Sequence, residues 1–139
     1  MIICFEGVDK TGKSTLHKAF DKLMNYRYLT VDRLYATYLA YSIRYDRPVE
    51  LAMITEENIE GCIIIYVDCD NREISRRIQL ENEPPIDIEK DKACFDIALN
   101  ILSHSYGAEI IRVDTTLSPV EECALYIRDT IKELLCEHE

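Results

Sequence analysis

The chain has 139 residues, 47% of them hydrophobic, and a formal net charge of −10. That length predicts one domain with an ordinary core. The acidic balance argues against polynucleotides and anionic lipid as partners. No apolar run approaches the ~18 residues of a membrane span.

The opening MIICFE is apolar and β-branched, and reads as a buried strand over 1–6 ending at Gly7. It has no basic leader, so a cytoplasmic protein is expected. Leu16, Ala19, Phe20, Leu23 and Met24 recur at helical spacing and predict a helix over 14–25. YRYLTVD gives a second strand, 27–32. Leu34, Tyr38, Tyr41 and Tyr45 then share one face of a helix over 33–45. Residues 46–60 read as a loop with room for a short helix. GCIIIYVD predicts the strongest strand, 62–68, whose unbroken apolar run implies cover on both faces.

A helix over 71–81 follows, then the two-proline break ENEPPID, within a lid region at about 79–92. Phe95, Ala98, Leu99 and Leu102 mark a helix over 89–104, and AEIIRVD supplies a fourth strand, 109–113. Ser118 is expected as the N-cap of the last helix, with Pro119 at its first position and Glu121 at its third. Alternating strands and helices predict an α/β fold: a parallel sheet of about four strands between two helical layers, as one domain over 1–139. The six cysteines form no C-x-x-C pair and read as buried reduced thiols.

Gly7, Gly12, Lys13 and Ser14 match G-x-x-x-x-G-K-[ST], the phosphate-binding loop. With glycine near 7% of residues, chance gives this pattern in roughly one such chain in two hundred. Here it also follows a predicted strand and opens a predicted helix. Successive backbone N–H groups and the helix N-terminus make an anion cradle. Gly7, Val8, Asp9, Lys10, Thr11, Gly12, Lys13, Ser14 and Thr15 are therefore the expected nucleotide-binding residues. Lys13 would reach the transferred phosphate, and the Ser14 hydroxyl would ligate Mg2+. Asp32 and Arg33 end a strand expected beside the first, at the carboxyl edge where ligands bind. Arg33 is placed to grip an acceptor phosphate through its planar fork. Asp32 is a second expected magnesium ligand, through water.

FEGVDKTGKST closely resembles the start of thymidylate kinases, nucleoside monophosphate kinases of the P-loop class. VDRLYATYLAY is similar to that family's Asp-Arg segment, here Asp32, Arg33, Thr37 and Tyr41. YVDCDNREISRRI is similar to its fourth strand and the following helix, with Arg77 on the arginine before the lid. The resemblance implies a three-layer P-loop NTPase fold and a kinase using ATP and Mg2+, with a small-molecule nucleotide as acceptor. It implies that Asp9 contacts the acceptor sugar hydroxyl or a magnesium-bound water, and that Tyr41 packs near that sugar. Arg77 would lie near the adenine or phosphates of ATP, a salt bridge to the acidic ENE being the alternative. Tyr38 and Tyr41 belong to a tyrosine stripe that packs in the core or stacks the acceptor base.

Two departures matter. Only 16 residues separate Thr15 from Asp32, whereas the family's gap is several-fold longer and carries the segment that reads thymine. The lid region LENEPPIDIEK has no arginine. Other family members instead place a basic residue after the loop aspartate, and Lys10 stands there. Lys10 is thus a catalytic candidate beside Lys13, Arg33 and Asp9. The alternatives left open are a deoxynucleoside kinase, another small-molecule P-loop kinase, and a nucleotide-binding protein without catalysis. A homodimer is open as well.

Overall fold

A computed structural model describes residues 1–50 and 54–137. Four strands, β1 (Ile2–Glu6), β2 (Leu29–Asp32), β3 (Ile63–Asp68) and β4 (Glu109–Asp114), form one sheet in the order β2-β1-β3-β4. Every pairing is parallel. The helices are α1 (Lys13–Leu23), α2 (Tyr35–Arg44), α3 (Glu56–Ile59), α4 (Asn71–Leu80), α5 (Ile88–Tyr106) and α6 (Val120–Glu137). The three-layer α/β architecture expected from the alternation is present. Among the described residues, no helix is long and apolar enough to cross a membrane.

Strand side chains alternate between faces. Ile3, Phe5, Ile63, Ile65 and Val67 pack with Leu16, Phe20, Ile127 and Ile131 of α1 and α6. Cys4, Ile64 and Tyr66 pack with Leu39, Ile74, Phe95 and Leu99 of α2, α4 and α5. β3 is buried on both faces, as its apolar run requires. Glu6 shares the parity of Cys4, so its carboxylate is directed to the α2 side of the sheet.

Several expectations change in detail. α2 begins at Tyr35, so Leu34 occupies its N-cap position and is not on the helical stripe. Tyr35, Tyr38 and Tyr41 pack against the core, while Tyr45 is exposed. The lid is shorter than 79–92, because α4 runs to Leu80 and α5 starts at Ile88. The short helix in 46–60 is α3; residues 51–53 lie outside the described residues. Ser118 does not cap α6. Among the described residues its hydroxyl makes no hydrogen bond, and the first helical acceptor is the Pro119 carbonyl, bonded by Cys123 N at 3.1 Å. Five cysteines are buried, but Cys136 is exposed on the last turn of α6. Cys4 and Cys62 bring their Sγ atoms to 3.5 Å.

Candidate functional site

The loop between β1 and α1 is built by backbone geometry that its sequence permits. Gly7 has φ +145°, and a Cβ there would run into the Val67 carbonyl oxygen. Only glycine lets the chain leave β1 against β3 in this way. Gly12, at φ +83°, turns the chain into α1. The loop's carbonyls are tied from outside. Arg77 Nη1 donates to Lys10 O at 2.8 Å, and the Thr115 hydroxyl donates to Thr11 O. Among the described residues, no protein group accepts from the backbone N–H groups of Val8 to Gly12. Donors left open at a helix N-terminus are what an anion cradle needs.

The loop opens onto a cleft of about 810 Å³. Val8, Asp9, Lys10, Thr11, Gly12, Lys13, Ser14 and Thr15 line it, as do Asp32, Arg33 and Arg77. All the expected nucleotide residues except Gly7 therefore border one cavity, and Gly7 sets the turn beneath it. Tyr38 and Tyr41 do not line it. Tyr38 lines a neighbouring apolar hollow of about 270 Å³ with Arg33, Leu34, Tyr35 and Thr37. The Tyr38 hydroxyl accepts from Glu50 N at 2.7 Å. Tyr41 stands behind Arg33, its hydroxyl 3.4 Å from Nη1 and its ring centroid 6.0 Å from Cζ.

Each cation in the cleft has a carboxylate partner. Lys13 is 6% exposed and pairs with Asp32. Burial, and then the Arg33 charge, lower its pKa to about 8, while Glu6 and Asp9 pull it upward. The Asp32 contact also favours the charged ammonium and opposes that shift. Arg33 Nη2 donates to Asp9 at 2.7 Å, and its Nη1 lies 3.3 Å from the Thr37 hydroxyl. Lys10 sits between the lid residues Glu81 and Glu83. Its hydrogen bonds to Glu81, then Glu83, raise its pKa above the usual lysine range. Arg77 pairs with Glu73 at 3.0 Å. The lid's acids are thus matched to Lys10 and not to Arg77, which braces the loop instead.

Glu6 is the site residue that sequence reasoning missed. It is completely buried. Its carboxylate accepts from Leu34 N at 2.6 Å, from Thr37 N at 3.1 Å and from the Thr37 hydroxyl. Leu34 and Thr37 are the N-cap and third residues of α2, and Leu34 has no capping side chain of its own. One carboxylate from β1 therefore satisfies both donors that a capping box normally satisfies from within the helix, and its charge suits the helix N-terminus. Burial raises the Glu6 pKa, while the Thr37 and Leu34 hydrogen bonds and the Arg33 charge hold it back. Between Glu6 and α2, Arg33 adopts φ +63°. A non-glycine residue there stores about 1–3 kcal/mol of strain. Its N–H is fixed to Phe5 O at 2.9 Å. The available signal was a charged residue closing an otherwise buried apolar strand, which requires a partner.

Ser14 and the carboxylates of Asp32 and Asp9 border the same cavity as the open N–H groups. Asp32 and Asp9 are there ion-paired to Lys13 and Arg33, and among the described residues no three metal-ligating side chains cluster. Ser14 and the two carboxylates are the hard oxygen donors the cleft could offer Mg2+.

No family model matches the chain, and no curated protein matches it. A solved structure does: the YorR protein of Bacillus subtilis in complex with phosphorylated GDP, 18% identical, with a TM-score of 0.68. The match covers 100% of this chain and 99% of that one. At this identity the likeness establishes the shared fold, an α/β domain with a parallel sheet over its whole length.

Proposed function

We propose that the chain is a P-loop kinase that transfers a phosphoryl group from ATP to a deoxynucleoside or nucleoside monophosphate, in the manner of thymidylate kinases. The observation that carries this reading is the pairing of two cationic poles across one cleft. Lys13, from the loop, and Arg33, on the β2–α2 connection, line the same cleft, the first paired with Asp32 and the second with Asp9. A nucleotide-bound solved structure of the same fold supports a nucleotide as occupant.

The open N–H groups of the loop and Lys13 would hold the donor phosphates. Lys10 would stabilise charge spread over the transferring oxygens in place of lid arginines. Arg33 would take the acceptor phosphate and Asp9 the acceptor sugar, with Tyr41 behind them. Mg2+, held through Ser14 and Asp32, would supply charge neutralisation at the donor phosphates. Each ligand phosphate would displace a carboxylate now paired with its cation, freeing Asp32 for the metal.

The apolar hollow beside Arg33 and the lost thymine-reading segment together favour weak base selection. A stacking surface accepts most rings, whereas a hydrogen-bonding edge reader rejects analogues strongly. The test is kcat/KM for thymidine and the four deoxynucleoside monophosphates, with and without magnesium. Monophosphates are expected to outperform thymidine and to differ among themselves by about tenfold, the equivalent of about 1.4 kcal/mol. Arg33→Ala should damage all of them alike. Preference for thymidine itself would favour a nucleoside kinase, and absence of any transfer would favour a binding protein.

A further inference from the structure

We infer that Glu6 is a positioning residue for the acceptor clamp: its buried carboxylate fixes Arg33 in the backbone conformation that aims the guanidinium into the cleft. The inference rests on the reading of Arg33 as the residue that grips the acceptor phosphate. Glu6 itself does not line the cleft and is completely buried, so it has no route to a substrate hydroxyl.

The argument is geometric. Arg33 sits in the left-handed region, at φ +63°, which costs a non-glycine residue free energy. Two hydrogen bonds bracket the strained residue. Its own N–H is held by the Phe5 carbonyl, and the next N–H, of Leu34, by Glu6. Phe5 and Glu6 are consecutive on β1, and the phosphate loop begins at the next residue. The acceptor clamp and the donor loop are therefore hung from the same two residues of one strand. Glu6 also binds Thr37, whose hydroxyl neighbours Arg33 Nη1. Glu6 thus constrains Arg33 at its backbone and, through Thr37, at its guanidinium. A helix cap alone would need only the N–H contacts; the additional Thr37 hydroxyl contact reaches toward Arg33.

The experiment is a double-mutant cycle of Glu6→Gln with Arg33→Ala, read as KM for the acceptor, KM for ATP, kcat and stability to urea. The glutamine keeps the shape, but its amide nitrogen cannot accept, so one backbone N–H, of Leu34 or of Thr37, loses its acceptor. Acceptor KM is expected to rise about tenfold, the consequence of one buried hydrogen bond, with KM for ATP within about twofold. In the Arg33→Ala background the same substitution should leave acceptor KM within about twofold, although its stability loss is unchanged. A merely structural residue would move both KM values, or would act equally in both backgrounds; either result overturns the inference. If Arg33→Ala alone leaves acceptor KM intact, the functional reading fails first. If Glu6→Gln does not fold, Glu6→Asp keeps the buried charge and withdraws it by one methylene; it is read by the same cycle.

Discussion

The two flanks of the phosphate loop are both held by carboxylates, yet the two ties differ in kind. On the β1 side, Glu6 is buried and its partners are backbone N–H groups and a hydroxyl. On the lid side, Glu81 and Glu83 hold Lys10 with side chains 55% and 48% exposed. Breaking the first leaves buried donors unsatisfied, which costs the full desolvation penalty of each. Breaking the second returns charged groups to water at little cost. The buried tie therefore sets geometry, and the exposed tie can yield to a ligand. A phosphate arriving in the cleft would compete with the lid for Lys10, but it would find Arg33 already aimed.

The sharpest way to break this contrast is to remove the exposed flank's cation. Lys10→Ala is expected to lower kcat by about 10² to 10³, the range for losing one preorganised electrostatic donor, with KM for ATP nearly unchanged. A change confined to KM would make Lys10 a ground-state contact released from the lid and nothing more.

A smaller effect comes from pH at Lys13, on the buried side of the loop. Its pKa in the free protein is lowered to about 8. The stability linked to this depressed lysine is present above its unfolded value and is lost as pH falls through about 8. At neutral pH the free protein therefore carries a buried charge at a cost, which an anion relieves. ATP binding should accordingly weaken about tenfold between pH 7 and pH 9, as the ammonium loses its proton. Calorimetry in buffers of different ionisation heat would detect the accompanying proton uptake. The dependence should vanish in Lys13→Met; persistence there would assign the titration to another group.

The smallest expected change concerns the lid. Glu81→Gln with Glu83→Gln should tighten ATP binding by about two- to fivefold at low salt, because both carboxylates line the cleft and repel a polyanion there. The gain should fade toward 1 M salt, where screening is nearly complete. Unchanged or weaker binding would mean that the two acids do not act on the ligand through their charge.

The loop half of the candidate site was legible in the sequence because it is local. Gly7, Gly12, Lys13 and Ser14 form one short motif whose spacing encodes its own turn and helix start. The parallel sheet around it, with β2 beside β1, was expected, but the full order β2-β1-β3-β4 was not; β3 announced its burial by its apolar run. The Glu6–Leu34–Thr37 linkage was not legible, because it joins two segments far apart in the chain and acts partly on a backbone angle. Lys10 was found by position, but its partners were not: the acids of ENE were considered for Arg77 and belong to Lys10. The Ser118 cap failed for a simpler reason. A capping residue type supplies an opportunity, and the Pro119 carbonyl begins the helix without it.

The all-parallel sheet has a consequence for how the chain comes to be folded. Ile2 pairs with Leu29, Ile3 with Ile63, and Ile63 with Glu109. No two strands can meet through a hairpin, so no strand pairing is available as an early local nucleus. Each must close a long loop first, which places such topologies among slower folders. β1 is made first and must wait for β3 to cover its second edge. Until then the Gly7 turn has no Val67 carbonyl to lie against. The loop therefore cannot take its final form before β1 and β3 have paired, and a ligand that binds it would select chains whose central pairing is already complete.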